Sequence, residues 1–342
     1  MNGRSWLWRA AQVVMILAIL YGIYRLLAPE LRQLTAASLV EWRPAAGRLL
    51  LSLVVLVGFY LVHAFLWRAI VRDLGIGLPD ARTTVRVYFL ASLGRYIPGK
   101  FWQLAGFAVL AGKAGLSPGG ATAAAVLGQF GFLATGLLFV AVVLPDWTGG
   151  IGARFLGAIL VGIAGFIWIL TATPTGRRGR AWIRSAVGGR AGEKLAAAFD
   201  LAERIRGRDA IRWGVGYGFS WILLGLAFSL FATSFMPAAA EHSTRLAGTV
   251  AAGYLAGYVV LVAPGGIGVR EAALTGLLAT IPGVPIAAAV VVGVLSRVWF
   301  TIAELLPLAL LPLLPATRAA APPPAGPHAT GSAGPAAGAK DE

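Results

Sequence analysis

Four charged residues lie deep in apolar sequence, and they are the first candidates for chemistry. Arg270 and Glu271 follow a glycine-rich run, and Arg297 and Glu304 lie inside a long apolar stretch. On insertion scales each charge costs about 2.5–3.5 kcal/mol at the centre of a membrane helix, so each requires an opposite charge or a water-filled cavity. Arg297 and Glu304 share one helix face, two turns apart, whereas the adjacent pair cannot point the same way. We therefore expect Arg270 or Glu271 to meet one of the later charges, and the other to face a cavity.

Two roles fit these charges. Arg270 is the candidate for contact with a substrate anion, because it begins a half-helix whose amide end favours negative charge. Glu271, Arg297 and Glu304 are candidates for gating or for coupling to an ion. The alternative is a buried ion-pair network that fixes the register of the helices, and the two roles are compatible.

A second polar cluster runs from Gly94 through Arg95, Pro98, Gly99 and Lys100 to Gln103. Glycine lets the backbone approach a ligand, and the two cations favour an anionic phospholipid head group. As an alternative, Arg95 and Lys100 extend to the membrane interface as anchors, and Gln103 bonds between helices. The spacing is that of a nucleotide phosphate-binding loop, but Phe101 stands where Ser or Thr would ligate magnesium. We expect no nucleotide there.

The composition defines the class of protein that must position these residues. Of the 342 residues, 58% are hydrophobic and only 13% are charged, with a mean hydropathy of +0.77. A soluble domain is about one quarter charged, so we predict an all-α polytopic membrane protein. The formal net charge is +15. Cytoplasmic loops of membrane proteins are rich in Lys and Arg, so this excess does not indicate nucleic-acid binding. There is no cysteine and only three scattered histidines, so we expect no metal, no cofactor and no catalytic residues, and hence no enzyme.

Six apolar runs are long enough to cross the roughly 30 Å of a bilayer core. They are Trp6–Leu27, Leu49–Ile70, Ala121–Leu144, Gly152–Thr171, Trp213–Met236 and Ile286 to about Leu314. Together they define a transmembrane domain over residues 1–314, followed by an Ala/Pro/Gly-rich tail at 315–342 that is expected to be disordered. The loop at 172–212 carries ten Lys/Arg against four Asp/Glu. The positive-inside rule makes this loop cytoplasmic, with both termini inside and Asp146 outside.

Two further stretches, at about 84–112 and 246–281, are apolar but interrupted. The first is broken at Pro98-Gly99 and the second at Pro264-Gly265-Gly266, with Gly268 close behind. Backbone groups freed by such breaks need protein or water at membrane depth, and paired interrupted segments mark the binding sites of many transporters. We predict two re-entrant hairpins in inverted orientation whose breaks face each other. Ordinary spans kinked at proline are the alternative.

These two interrupted motifs carry a family resemblance. Arg95-Tyr96-Ile97-Pro98-Gly99-Lys100-Phe101-Trp102-Gln103, followed by Gly115-Leu116-Ser117, resembles the first signature of the lysylphosphatidylglycerol synthase transmembrane-region family. Pro264-Gly265-Gly266-Ile267-Gly268-Val269-Arg270-Glu271 resembles the second. The resemblance covers roughly Trp6 to Leu314. It implies a likeness to the flippase half of the multiple peptide resistance factor, which moves aminoacylated phospholipid between leaflets.

The resemblance leads to a leading expectation and an alternative. The leading expectation is a lipid translocase of the inner (plasma) membrane that handles an anionic phospholipid or lipid-linked head group. Because only a short tail follows Leu314, the soluble synthase activity of the family is not expected. The alternative is a non-transporting membrane subunit that docks a lipid-modifying enzyme or a cell-envelope glycosyltransferase through the 172–212 loop.

Overall fold

The computed structural model describes residues 44–96, 101–144, 205–259, 266 and 268–313. These ranges are helical and contain no strand. The α-helices are α1 (Ala46–Asp73), α2 (Ala81–Ser92), α3 (Phe101–Lys113), α4 (Pro118–Val143), α5 (Gly207–Phe235), α6 (Ser243–Val259), α7 (Val269–Leu278) and α8 (Ile286–Ala309). Short 3-10 turns follow α2, α5 and α8, at Leu93–Tyr96, Pro237–His242 and Leu311–Leu313.

Within the described ranges, four helices are long and apolar enough to cross a membrane. They are α1, α4, α5 and the stretch Ile286–Leu313, which contains α8. They match four of the six predicted spans, with ends shifted by up to two turns. The predicted spans 6–27 and 152–171, and the tail, lie outside the described residues. Residues 172–204 of the predicted loop also lie outside the described residues. The end of that loop was wrong, because α5 begins at Gly207 and the last six positions of the loop, 207–212, are helical.

Helices α1 and α5 run antiparallel and define the two ends of the molecule. At one end the Ala45 amide donates to the Ser234 carbonyl at 2.9 Å. At the other end Asp73 forms an ion pair with Arg212 and accepts a hydrogen bond from Trp213 Nε1 at 2.9 Å. We name these the Ala45 end and the Asp73 end. The contacts at the Asp73 end explain why α5 starts earlier than predicted, since its first turns are fixed to α1.

Helices α2 and α3 form an antiparallel pair that starts from the Asp73 end. Arg68 of α1 donates to the carbonyl of Pro79, just before α2, at 2.6 Å. Gly106 of α3 lies so close to Ala91 of α2 that an added Cβ would be 3.0 Å from the Ala91 Cα. With 12 and 13 residues, these helices are about 18–20 Å long at 1.5 Å per residue, too short to cross a bilayer.

Helices α6 and α7 form a second antiparallel pair, which starts from the Ala45 end. The carbonyl of Ser243, where α6 begins, accepts from Ser229 near the end of α5 at 3.2 Å. Along the pair, Gly253 packs against Leu274, and Gly257 packs against Arg270. The two antiparallel pairs therefore start from opposite ends of the molecule. The breaks at Pro98-Gly99 and at Pro264-Gly265 lie outside the described residues.

Helix α8 packs between these pairs and α1. Its Trp299 donates from Nε1 to Ser52 of α1 at 3.0 Å, and its Gly293 lies against Thr275 of α7. The ring of Trp299 also stacks on Phe231 of α5, with centroids 4.7 Å apart. This packing carries the two predicted charges of α8, Arg297 and Glu304, to the inner ends of both antiparallel pairs.

Candidate functional site

A cavity of about 340 Å³ lies where the two antiparallel pairs meet α1, α4, α5 and α8. Of the described residues, three arginines line it, namely Arg95, Arg270 and Arg297, together with the single carboxylate of Glu304. The rest of the wall is largely aromatic: Phe59, Tyr60, Trp67, Tyr88, Phe107, Phe130, Phe132, Tyr217, Tyr254, Tyr258 and Phe300. The volume is within the range of about 300–1,000 Å³ that is usual for small-ligand sites.

Arg95, beside the first break, is held by an ion pair with α8. Its Nη1 lies 3.1 Å from Glu304 Oε1, and its Nε donates to the Ser92 carbonyl at 2.9 Å. The same Glu304 oxygen accepts from the hydroxyl of Tyr60 at 2.6 Å. The Glu304 side chain is only 5% exposed, against 21% for Arg95. This carboxylate therefore connects α8, α1 and the first antiparallel pair at one point.

Glu271, behind the second break, pairs with Arg297 as the sequence suggests. Arg297 Nε lies 3.2 Å from Glu271 Oε1, an ion pair by distance although Oε1 lacks hydrogen-bond geometry. The other oxygen, Oε2, accepts the backbone N–H of Gly268 at 2.6 Å. Glu271 thus caps α7 with its own carboxylate, where negative charge is favoured by the helix dipole. A ligand anion at this terminus would compete with that carboxylate.

Of the three arginines that line the cavity, Arg270 is the one for which the described residues supply no ion-pair partner. It is 8% exposed, and its guanidinium carbon lies 3.5 Å from the ring centroid of Phe300 and 4.8 Å from that of Tyr254. Its Nε and Nη2 atoms are fully buried and have no hydrogen-bond partner among the described residues. Leaving buried donors of a charged group unsatisfied is costly, so this guanidinium is arranged for an acceptor that the described residues do not supply.

The close approach of α6 to α7 depends on glycine. Gly266 has φ +69°, the left-handed region that glycine tolerates best. A Cβ at Gly266 would also be 2.9 Å from the carbonyl oxygen of Gly257. Since Gly257 itself packs against the Arg270 backbone and Cβ, these two glycines determine how deeply Arg270 sits in the cavity wall.

Gly266→Ala should therefore destabilise the protein by about 1–3 kcal/mol, because the new methyl group meets backbone and the residue is held at positive φ. Gly276→Ala is the matched control on α7, since no atom lies within 4 Å of its added Cβ; there a gain of about 0.5–1 kcal/mol is expected. Thermal unfolding of the two variants in detergent measures the difference. Equal stability of both would mean that α6 and α7 do not pack as closely as the structure has them.

The other predicted site residues divide into those in the cavity and those not described. Gln103 lines the cavity, as do Gln129 and the backbone of Gly266, and Gly268 caps α7. Lys100, Pro98, Gly99, Pro264 and Gly265 lie outside the described residues. The structure thus brings Arg95, Gln103 and Arg270 to one site, and their proposed contact with substrate stays a prediction.

The aromatic wall of the cavity was not predicted from the sequence. Tyr254 and Tyr258 are four residues apart on α6 and share one face. Tyr60, His63 and Trp67 are spaced three and four apart on α1 and also face the cavity. Such spacing in an apolar helix indicates only a buried stripe, and its orientation toward a cavity requires the tertiary structure.

His63 has a defined hydrogen bond in this wall. Its Nε2 lies 3.0 Å from Ser220 Oγ, and that hydroxyl donates in turn to the Tyr217 carbonyl at 2.7 Å. If the hydroxyl proton is used toward Tyr217, Ser220 accepts from His63 and the histidine proton is on Nε2. His63 is therefore a bonded part of the wall. Within the described ranges, no three His, Asp or Glu residues group as metal ligands do.

Comparison with family models, curated proteins and solved structures finds no match to this chain. The site must therefore be interpreted from its own chemistry. It offers one unpaired guanidinium, two paired ones, several hydroxyls and amides, and an aromatic wall. Such a set is chemically suited to an oxyanion with an attached polar group, and the described lining residues include no nucleophile–base pair.

Proposed function

We propose that the protein is a membrane-lipid translocase that binds the phosphate of an anionic head group in the cavity between the two antiparallel pairs. The observation that carries this proposal is Arg270, a nine-tenths buried guanidinium on the cavity wall with two donors unsatisfied. Arginine matches the oxygen geometry of phosphate better than any other side chain. In a membrane, phospholipid is the abundant source of that group.

The opposed entry of the two pairs supports movement as well as binding. We infer that α2–α3 and α6–α7 are re-entrant hairpins of inverted orientation, because each pair is shorter than the bilayer and reverses within the molecule. Their inner ends provide Arg95 and Arg270 to one cavity. In inverted-repeat transporters, a site at the repeat interface is exposed alternately to the two sides.

The charge pairs give this site a means of gating. Glu304 joins α8 to the first pair through Arg95, and Glu271 joins the second pair to α8 through Arg297. Rearranging either pair would change the separation of the hairpins. The resemblance to the lysylphosphatidylglycerol synthase transmembrane-region family supports the same function. The docking-subunit alternative stays a prediction, since the loop it requires lies mostly outside the described residues.

The function is tested by reconstituting the purified full chain into liposomes that contain fluorescent phosphatidylglycerol. An impermeant reductant bleaches only the outer leaflet, so translocation exposes the inner half of the label to bleaching. We expect bleaching well beyond half, at a rate that rises with protein-to-lipid ratio. Bleaching that stops at half in sealed, protein-containing vesicles would reject a translocase.

Orientation in the membrane gives an independent prediction. We propose that the Asp73 end is cytoplasmic, with the bilayer in the plasma membrane. The chain has no cysteine, so single cysteines can replace exposed Arg208 near the Asp73 end and exposed Glu241 near the Ala45 end. An impermeant maleimide should label Glu241→Cys in intact cells and label Arg208→Cys only after permeabilisation. The reverse pattern would invert the proposed orientation.

A further inference from the structure

We infer that the cavity selects a phospholipid whose head group has one negative charge and no cation, and that the lipid enters from the bilayer between α3 and α4. The inference rests on the proposed function for its setting, but it concerns which lipid binds and by which route. It follows from the charges at the cavity and from the side on which its wall is exposed.

The charges at the cavity leave one positive charge unmatched among the described residues. Arg95 is paired with Glu304, and Arg297 is paired with Glu271, each at little more than 3 Å. Arg270 has neither an acidic neighbour within ion-pair distance nor a hydrogen bond at Nε or Nη2. A phosphodiester carries one negative charge, so it would neutralise this arginine without disturbing either pair.

A cationic head group has no partner in this wall. Glu304 is the only carboxylate among the described lining residues, and Arg95 and Tyr60 already engage it. The ammonium of a zwitterionic or lysylated lipid would therefore lie among three guanidinium groups without a carboxylate of its own. Like-charge placement of this kind is a common source of specificity against the wrong partner. Hydroxyls of an uncharged head group can instead meet Gln103 and Gln129.

One side of the cavity is apolar and reaches the surface. Phe130 of α4 lines the cavity and is nevertheless 57% exposed. The lining residues of α3 and α4 also include Leu104, Val126 and Leu133, and none of the described lining residues of these two helices is charged. Helix α4 is also a candidate membrane span, and only 17% of the residues in its most apolar segment are buried. An apolar mouth on such a helix suits acyl chains that stay in the bilayer while the head group enters.

The cavity volume is consistent with a head group inside the cavity and acyl chains in the bilayer. At about 340 Å³ it is at the small end of the range for ligand sites, about 300–1,000 Å³. It suits a head group and its phosphate, and the acyl chains would remain outside the mouth. A water-soluble phosphodiester shares the head-group chemistry and lacks the chains, so the two sources can be separated by experiment.

The test is binding, measured by native mass spectrometry on the detergent-purified full chain. The probes are phosphatidylglycerol, phosphatidylcholine and lysylphosphatidylglycerol with matched acyl chains, and soluble glycerophosphoglycerol. We expect phosphatidylglycerol to bind at least about tenfold more tightly than each of the other three. Similar affinity for all lipids would overturn the charge selection, and equal binding of the soluble diester would overturn entry from the bilayer.

A variant that adds a negative charge to the cavity wall tests the same inference from the protein side. Gln129→Glu places a carboxylate in the cavity wall at almost unchanged volume, and it should lower the preference for phosphatidylglycerol over phosphatidylcholine to about one or below. Ser243→Glu adds the same charge at the exposed start of α6 and should leave the preference unchanged. An unchanged preference in Gln129→Glu would contradict the inference.

The binding assay and the translocation assay can give opposite results, and each result tests a different proposal. Selective binding of phosphatidylglycerol with no bleaching beyond half in liposomes would uphold the inference and reject the translocase. Translocation of all three lipids at one rate, with equal binding, would uphold the translocase and overturn the inference.

Discussion

Arg270→Met should abolish lipid movement without lowering the stability of the lipid-free protein. Hydrogen bonds to a charged group contribute about 1.5–3 kcal/mol, so phospholipid affinity should fall roughly 10- to 150-fold. Stability should change little, because methionine keeps much of the contact with Phe300 and removes a buried charge that has two unsatisfied donors. Replacing buried charge by well-packed apolar side chains is often neutral or stabilising. The variant also loses the cation–π contact between Arg270 and Phe300, which costs up to about 2 kcal/mol. This loss offsets the stability gained by removing the buried charge.

Two companion variants make the Arg270 result specific. Arg270→Lys keeps the charge but loses the planar donor pair, and an intermediate affinity is expected. Arg48→Gln removes an arginine that donates to the Thr233 carbonyl and does not line the cavity, and its translocation rate should match that of the unmodified protein. Normal lipid movement by Arg270→Met, or a failure of that variant to fold, would show that Arg270 is structural.

Glu304→Gln should give the largest loss of stability of any single change at the site. The carboxylate is 5% exposed and accepts from both Arg95 and Tyr60. Removing one member of a buried ion pair costs about 3–5 kcal/mol, because the other charge is left uncompensated. We expect about 3 kcal/mol, at the low end, since 21% of the Arg95 side chain is exposed. Thermal unfolding followed by tryptophan fluorescence measures the loss.

The double variant Arg95→Gln/Glu304→Gln distinguishes the energy of the Arg95–Glu304 ion pair from the other contacts that each side chain loses. With no charge left unpaired, it should be more stable than Glu304→Gln alone, and the double-mutant cycle should give a coupling of at least about 1 kcal/mol. Additive losses in the cycle would mean that Arg95 and Glu304 do not interact in the folded protein.

The arrangement of the later charges could be predicted because it depends on local geometry. The two-turn spacing of Arg297 and Glu304 fixes a common face, and adjacent Arg270 and Glu271 must diverge. The structure pairs Glu271 with Arg297 and turns Arg270 to the cavity. The division of each interrupted stretch into two helices was also recognisable, because adjacent proline and glycine strongly disfavour a continuing helix. A single proline is not sufficient, since Pro307 lies within α8.

The partners of Glu304 could not be predicted in the same way. Tyr60 is 244 residues away in the chain and Arg95 is 209 away, so no helical period connects them. The start of α5 was missed for a related reason. The residues from Gly207 to Arg212 are polar enough to be assigned to a loop, but contacts of Arg212 and Trp213 with Asp73 of α1 keep them helical.

Binding of a lipid phosphate to Arg270 inside the cavity can be observed by cryo-electron microscopy of the full chain in phosphatidylglycerol nanodiscs. We expect phosphate density about 2.7–3.2 Å from Arg270 Nε or Nη2, with acyl-chain density that leaves the cavity past Phe130 between α3 and α4. Lipid density confined to the outer surface, with both Arg270 nitrogens bonded to protein groups, would contradict it.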